Sequence, residues 1–100
     1  MEIIKNKKEG TLVVKVVGRL DTNTAPELEK AIADETKSVK VINFDFEGLD
    51  YISSAGLRVV LMLHKTMSGN GGKFIVSHPK DEVMEVFDMT GFSGFLNIEE

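Results

Sequence analysis

The order of strand-like and helix-like segments constrains the fold of this chain more than any other feature of its sequence. Stretches rich in β-branched, aromatic and leucine residues predict five strands, at 2–7, 11–17, 39–46, 73–78 and 95–98. Apolar residues at helical spacing predict three helices, at 25–36, at 54–68 and in a short segment between Pro79 and Gly91. Gly69 should end the second helix and Gly91 the third, because glycine takes the left-handed conformation that ends helices. A short turn joins the first two strands, so they should form an antiparallel hairpin. Most later strands follow a helix and should therefore lie parallel, with right-handed crossovers.

This order predicts a single α/β domain over residues 1–100, built on a mixed, mostly parallel sheet with about three helices. A chain of 100 residues that is 42% hydrophobic and 28% charged can bury one core without help. No internal repeat and no change in composition divides it. A second domain is therefore not expected.

Charge and composition exclude several classes of function. The chain has 12 basic and 16 acidic residues, giving a net charge of −4, which opposes direct binding to nucleic acid or to an anionic membrane. It has no cysteine, so disulfides and thiolate chemistry are excluded. The sequence shows neither a secretory signal nor an apolar run long enough to span a membrane. We therefore expect a cytoplasmic protein that does not insert into membranes.

The glycines and histidines give no cofactor or metal site. The segment GNGG at 69–72 has the G-x-x-G spacing of an RNA-binding KH loop, but that loop joins two helices and here a strand follows. A turn is the simpler interpretation. No phosphate-binding P-loop is present. His64 lies mid-helix and His78 lies in a loop, and neither has an evident path to a serine nucleophile. We expect no cofactor, no metal and no enzymatic activity.

Two adjacent serines, Ser53 and Ser54, stand at the predicted start of the second helix. Serine is a favoured N-cap, because its hydroxyl accepts a hydrogen bond from a free backbone amide. One serine is enough for that role, so the other is available for a second role. Ala55 and Gly56 keep the approach to the pair open. The residues alone leave two interpretations, a cap only or a cap beside a phosphorylation site.

A phosphate at this helix start would be well placed. The free amides and the positive end of the helix dipole attract anions. Phosphorylation would add a charge of about −1.5 to −2. Arg58 lies one turn after Ser54 and Lys65 lies near the same stripe, so the added charge could be balanced locally.

The second helix is apolar over most of its circumference. Only Arg58, Lys65 and Thr66 interrupt its apolar surface. Such a helix is either deeply buried or leaves an apolar patch for a partner protein. Both interpretations stay open from the sequence.

The loop before the first helix carries a second group of polar residues. Thr24 and Glu27 have the spacing of a capping box, which predicts that the Thr24 side chain caps the helix. Asp21 and Asn23 precede it, and short polar side chains at such positions usually serve turns. With Thr24 as the cap, Asp21 would be free to face the loop of Ser54. This contact requires that both loops leave adjacent parallel strands at the same end.

Four segments in this order resemble the anti-sigma factor antagonists, a group within the STAS (sulfate transporter and anti-sigma factor antagonist) domain family. They extend over nearly the whole chain, and their order and spacing make the resemblance more specific than any one of them. The segments are GRLDTNTAPEL (18–28), VINFDFEGLDYISSAGLRVVL (41–61), GGKFIVSHP (71–79) and VFDMTGF (86–92).

The resemblance implies a bacterial regulator of transcription that acts by partner switching. The unmodified protein binds an anti-sigma factor and frees the sigma factor. The anti-sigma factor is itself a serine kinase, and phosphorylation of the antagonist prevents binding until a phosphatase restores it. The phosphorylated serine of the family corresponds to Ser54. The family usually has an acidic residue immediately before it, where this chain has Ser53, so Ser53 remains an alternative phosphoacceptor.

The resemblance also implies a docking face for the kinase. The family's aspartate in the first strand-to-helix loop, which supports kinase recognition and phosphorylation, corresponds to Asp21. The expected docking residues come from that loop and from the start of the second helix: Asp21, Asn23, Thr24, Ser53, Ser54, Ala55, Gly56 and Arg58. The alternative function is a constitutive STAS subunit of a lipid-transport complex or of a signalling scaffold. The oligomeric state and the identity of the sigma factor are not fixed by the sequence.

Overall fold

Six strands and three helices alternate along the chain in the computed structural model, which describes residues 1–100. The strands are β1 (Glu2–Lys8), β2 (Thr11–Leu20), β3 (Val41–Asp45), β4 (Leu49–Ile52), β5 (Lys73–Ser77) and β6 (Asn97–Glu99). The helices are α1 (Ala25–Ile32), α2 (Ser54–Gly69) and α3 (Asp81–Thr90), and a 3₁₀ turn at Phe92–Gly94 follows α3. The predicted α/β class, the mixed sheet, the opening hairpin and the three helices are confirmed.

The sheet is antiparallel only at its first pair. Its strand order is β1-β2-β3-β5-β6, and β4 pairs with β2 outside this path. The β1–β2 hairpin is antiparallel, and every other pair is parallel. Because β4 is parallel to β2, the carboxyl ends of both strands lie at the same edge of the sheet. This edge holds the loops that were predicted to carry the site.

β2 changes partner along its length, and this change creates a strand that was not predicted. Its first half, Thr11 to Lys15, pairs with β3, whereas Gly18 to Leu20 pair with β4. The register shifts between Gly18 and Arg19, and Gly18 has a φ of 107°, in the region that favours glycine. Residues 49–52, expected to be loop, therefore form β4.

The first helix is shorter than the predicted span of 25–36. It ends at Ile32, and residues 33–38 form turns. The Lys5 Nζ donates to Ala31 O at 2.8 Å, which occupies a carbonyl that the next helical turn would use. Glu35 is held by Lys7 at 3.0 Å and by Lys5 at 3.4 Å. Contacts with β1 thus favour the early end of α1.

The close of α2 also differs from the prediction. Gly69 was expected to end the helix in the left-handed conformation, but it is the last helical residue. The left-handed residue is Gly71, with a φ of 75°. The Gly72 N–H then donates to Met67 O at 2.7 Å and so satisfies a carbonyl at the end of α2. The left-handed glycine that closes the helix thus lies two residues later in the chain than predicted. The predicted end of α3 is confirmed, since Gly91 follows its last residue with a φ of 82°, whereas the helix begins at Asp81, after Pro79.

The core lies between the sheet and the helices. Alternate residues of β2, β3 and β5 are buried, as expected when helices cover one face of a sheet. Four fully buried phenylalanines dominate the core: Phe44, Phe46, Phe74 and Phe87. The ring of Phe44 meets that of Phe74 edge-on, with centroids 5.1 Å apart. No helix has the length and the apolar character needed to cross a membrane.

Candidate functional site

Two loops lie side by side at the carboxyl ends of β2 and β4. Leu20 and Ile52 are partners in the parallel β2–β4 pair, and the Ser53 N–H donates to Leu20 O at 2.9 Å. The Asp21 loop continues directly from Leu20, and the two serines continue directly from Ile52. The condition for the predicted contact between the loops is therefore met, and the unpredicted β4 is the element that meets it.

Ser53 is the N-cap of α2. Its backbone is extended, with φ −98° and ψ 178°, and its Oγ accepts from the Gly56 N–H at 3.4 Å. Ser54 is the first helical residue, it is exposed, and its hydroxyl makes no hydrogen bond within the chain. The structure thus separates the two serines into one that caps the helix and one that is exposed and has an unbonded hydroxyl.

The first turn of α2 is packed closely on the strands that precede the two loops. Gly56 is buried, and a Cβ built there would lie 2.8 Å from Ile52 Cγ1 and 2.8 Å from Leu20 Cγ. Glycine at this position lets the helix approach both strands, which fixes Ser54 relative to the Asp21 loop. Buried Gly56 therefore supports the predicted docking face through its packing and is not itself part of the exposed surface. Ala55, the residue before it, is half-buried.

The first turn of α2 carries no negative charge. The first turn of α2 has no acidic residue, so no neighbouring carboxylate in that turn opposes an anion. Arg58, one turn after Ser54, is exposed and forms no ion pair. Its guanidinium can reach a group on Ser54 because residues four apart share a helix face.

Asp21, and not Thr24, satisfies the free amides before α1. The Asp21 Oδ1 accepts from the Asn23 N–H at 3.0 Å and from the Thr24 N–H at 3.1 Å. Thr24 has helical dihedral angles and makes no side-chain cap. Its Oγ1 instead donates to Arg19 O at 2.8 Å and accepts from the Asp21 N–H at 2.8 Å. The predicted capping box of Thr24 and Glu27 is wrong, and Asp21 is not free of local bonds.

These bonds hold Asp21 as a carboxylate. The backbone N–H of Thr24 is the largest cause of a pKa below the ordinary value of 3.8 for Asp21, and the Asn23 N–H, the Thr24 hydroxyl and Arg19 act in the same direction. Burial opposes them without reversing the direction. A fixed negative charge therefore stands in the loop next to Ser54.

Sequence reasoning missed two contacts that β4 makes at this edge. The guanidinium carbon of Arg19 lies 4.1 Å from the centre of the Tyr51 ring, and Arg19 Nε lies 3.9 Å from Asp21 Oδ2. Lys80, just before α3, bonds to the Asp50 carboxylate of β4. Both contacts depend on β4, which had no clear signal in the sequence, so only the exposed aromatic residue Tyr51 could have indicated them.

The histidines lie outside this arrangement. His64 follows Ser54 by ten residues, about 15 Å along the helix, and its ring packs 5.0 Å from that of Phe95. His78 Nδ1 lies 3.6 Å from Asp45 Oδ1. Ligand atoms of His78, Asp45 and Glu47 lie within 4.8 Å of one another, with two of the three residues exposed. None of these groups is bonded to either serine.

The predicted docking residues differ in how much of each is exposed to solvent. Asn23, Ser54 and Arg58 are exposed, whereas Asp21, Thr24, Ser53 and Ala55 are half-buried. The exposed members come from both loops. A partner protein that covered this edge of the sheet would touch the two loops together.

Comparison with known proteins gives a consistent family. The STAS domain profile matches residues 2–100. BtrV of Bordetella bronchiseptica, provisionally named an anti-sigma factor antagonist, is 36% identical over 93 residues that cover 92% of this chain and 80% of BtrV. An anti-sigma-B factor antagonist of Staphylococcus aureus is 29% identical over 91 residues, covering 87% of this chain and 82% of that protein.

Solved structures agree on the fold. The Thermotoga maritima protein TM1081, also provisionally named an anti-sigma factor antagonist, superposes with a TM-score of 0.92 at 21% identity and covers 98% of this chain and 86% of its own. The Bacillus protein SpoIIAA in its phosphorylated form superposes with a TM-score of 0.78 at 21% identity, over 97% of this chain and 90% of its own. The profile match and the identity to BtrV together show that the chain belongs to the STAS domain family.

Proposed function

We propose that this chain is an anti-sigma factor antagonist that binds an anti-sigma factor kinase while Ser54 is unmodified and releases it once Ser54 is phosphorylated. The observation that carries the proposal is the division of roles between the serines. Ser53 caps α2, whereas the Ser54 hydroxyl is exposed and unbonded. The names of its relatives BtrV and the Staphylococcus protein support the same function.

Ser54 is the phosphoacceptor in this proposal, and Ser53 is not. Ser53 is half-buried, and a phosphoryl group on it would turn the Oγ that accepts from the Gly56 N–H into a phosphoester oxygen, which is a weaker acceptor. Transfer to Ser54 breaks no bond within the chain and places the phosphate near the N-terminus of α2 and Arg58. In the kinase the Ser54 Oγ bonds to the γ-phosphorus of bound ATP, the bond to the β-phosphate breaks so that ADP leaves, and the hydroxyl proton passes to a base of the kinase. A phosphatase then hydrolyses the phosphoserine.

Electrostatics then explain release without a change of fold. A phosphate adds a charge of about −1.5 to −2 at the centre of a surface that already holds the Asp21 carboxylate. The kinase would have to desolvate this charge and to keep its own carboxylates away from it. A loss of about 3 kcal/mol weakens binding by about a hundredfold, enough to change partner. The protein acts as a binding partner and not as an enzyme.

Phosphorylation with the organism's own anti-sigma factor kinase and ATP tests the proposal. Mass spectrometry should place one phosphate on Ser54, and Ser54→Ala should remove it while Ser53→Ala should not. Ser54→Asp should lose kinase binding, and Ser54→Ala should keep it. Phosphate on neither serine, or binding that both Ser54 variants leave unchanged, would refute the switch. Stable binding to a membrane transporter regardless of Ser54 would instead favour the constitutive subunit.

This proposal places the protein in the cytoplasm. The kinase that binds it needs ATP, and the sigma factor that it releases acts on RNA polymerase there. The Ser54 switch and the docking face thus require only proteins of that compartment.

A further inference from the structure

One exposed stripe of α2 leads directly away from Ser54 along the helix. Residues three and four apart share a helix face, so Ser54 is followed on that face by Arg58, Leu61, Met62 and Lys65. Arg58 and Lys65 are exposed, Met62 is 41% exposed and Leu61 is half-buried. We call Arg58, Leu61, Met62 and Lys65 the outer α2 stripe.

A groove runs beside the outer α2 stripe and has α1 as its other wall. It has a volume of about 450 Å³ and is lined by the stripe together with Thr66 and Glu29. A second groove of about 240 Å³ shares Met62, Thr66 and Glu29 and continues toward Ala33. The outer face of α2 therefore carries a shallow, open groove in which exposed Met62 and half-buried Leu61 lie between two cations.

The charges of the outer α2 stripe are unpaired within the chain. Neither Arg58 nor Lys65 forms an ion pair or a side-chain hydrogen bond within the chain. Seven residues, or about 10 Å of helix, separate Arg58 from Lys65. Two free cations at this spacing, with apolar side chains between them, complement a surface that presents two carboxylates around an apolar residue.

We infer that the outer α2 stripe extends the docking face and binds a segment of the anti-sigma factor kinase in which two carboxylates flank an apolar side chain. This inference rests on the proposed function and names the chemistry of the partner. The apolar side chain packs on Leu61 and Met62, and the carboxylates meet Arg58 and Lys65. The Glu29 carboxylate on the α1 wall repels acidic groups, so the carboxylates of the kinase lie on the α2 side of the groove.

Binding constants of the purified kinase from the same organism test this inference. All variants carry Ser54→Ala, so that the chain stays unphosphorylated, and affinity is measured by calorimetry at low and at high salt. Lys65→Glu and Met62→Ser should each weaken binding by about tenfold or more. Lys65→Glu should also reduce the dependence of affinity on salt. Lys8→Glu is the matched control, because it makes the same charge reversal in the β1–β2 hairpin, at the opposite edge of the sheet, and it should leave affinity unchanged.

Each outcome separates this inference from the proposed function. Lys65→Glu and Met62→Ser proteins that bind as the parent does would overturn the inference, and so would tighter binding by Lys65→Glu. If Ser54→Asp still abolishes binding in that case, the phosphorylation switch stands without the stripe. If Ser54→Asp binds as tightly as Ser54→Ala, the proposed function itself fails. Thermal unfolding of each variant confirms that the exposed substitutions leave the fold intact.

Discussion

The substitution Gly56→Ala tests whether close packing positions the start of α2. The added Cβ would lie 2.8 Å from Leu20 Cγ and 2.8 Å from Ile52 Cγ1, whereas carbon atoms prefer separations of about 3.5–4.0 Å. Both neighbours are buried, and the atoms in contact are inner atoms of the side chains, so neither can rotate away easily. α2 must then move off the ends of β2 and β4.

The expected loss of stability follows from two opposing effects. Overpacking in a well-packed core costs about 1–3 kcal/mol. Replacing a helical glycine by alanine gains about 0.5–1 kcal/mol through helix propensity. Steric overlap wins, and Gly56→Ala should lower the free energy of unfolding by about 1–2 kcal/mol. The midpoint of thermal unfolding should fall by about 5–10 °C.

Urea unfolding followed by circular dichroism measures this change. Gly69→Ala is the matched control, since it makes the same substitution in the same helix at a site with no atom within 4 Å of the new Cβ. It should leave stability unchanged or raise it by about 0.5 kcal/mol. A Gly56→Ala protein as stable as the parent, or more stable, would refute the packing argument.

Three further predictions follow from the contacts. Ser53→Ala should cost about 1 kcal/mol in urea unfolding by removing the cap of α2, while Ser54→Ala should stay within about 0.5 kcal/mol of the parent; equal losses would contradict the division of roles. Because the folded pKa of Asp21 is lowered, its contribution to stability is present above pH 3.8 and is lost as the pH falls through the folded pKa. The NMR shift of the Thr24 amide, which donates to Asp21, should therefore titrate with a midpoint below 3.8, and a midpoint at or above 3.8 would refute the hydrogen-bonded turn. Phe44→Ala should cost about 3–5 kcal/mol in the same unfolding assay, and a loss under about 1 kcal/mol would contradict its central place in the core.

Local patterns predicted most of the fold because they act over a few residues. The β1–β2 hairpin, the start of α2 and the end of α3 at Gly91 depend on nearby turn, cap and glycine chemistry. Each was expected from the sequence. The inner strands β3 and β5 were expected for the same reason, since their β-branched and aromatic residues lie in short runs.

β4 could not be predicted, because its stability comes from a distant strand. Of its four residues only Leu49 and Ile52 are buried, and Asp50 and Tyr51 are exposed, so its pattern is that of a loop. It becomes a strand because β2 changes partner at Gly18. The adjacency of the two loops of the site follows from this pairing, so the sequence could predict it only on the condition that their strands are neighbours.

The role of Asp21 was mistaken for a related reason. Thr24 and Glu27 have the spacing of a capping box, but the spacing does not reveal the backbone conformation of Thr24, which is helical. Because the backbone of Thr24 is already helical, its hydroxyl donates to Arg19 O instead of capping the helix. The Asp21 carboxylate accepts from the free backbone N–H groups before α1. The serine pair was easier to interpret, because a single cap explains only one of two adjacent hydroxyls.

The affinity of the anti-sigma factor kinase for the two forms of this chain tests the central claim most directly. One preparation is phosphorylated fully on Ser54, half of it is then treated with phosphatase, and both halves are titrated against the same kinase. The dephosphorylated half should bind, and the phosphorylated half should bind about a hundredfold more weakly or not at all. Equal affinity of the two halves would contradict the claim that charge on Ser54 controls the choice of partner.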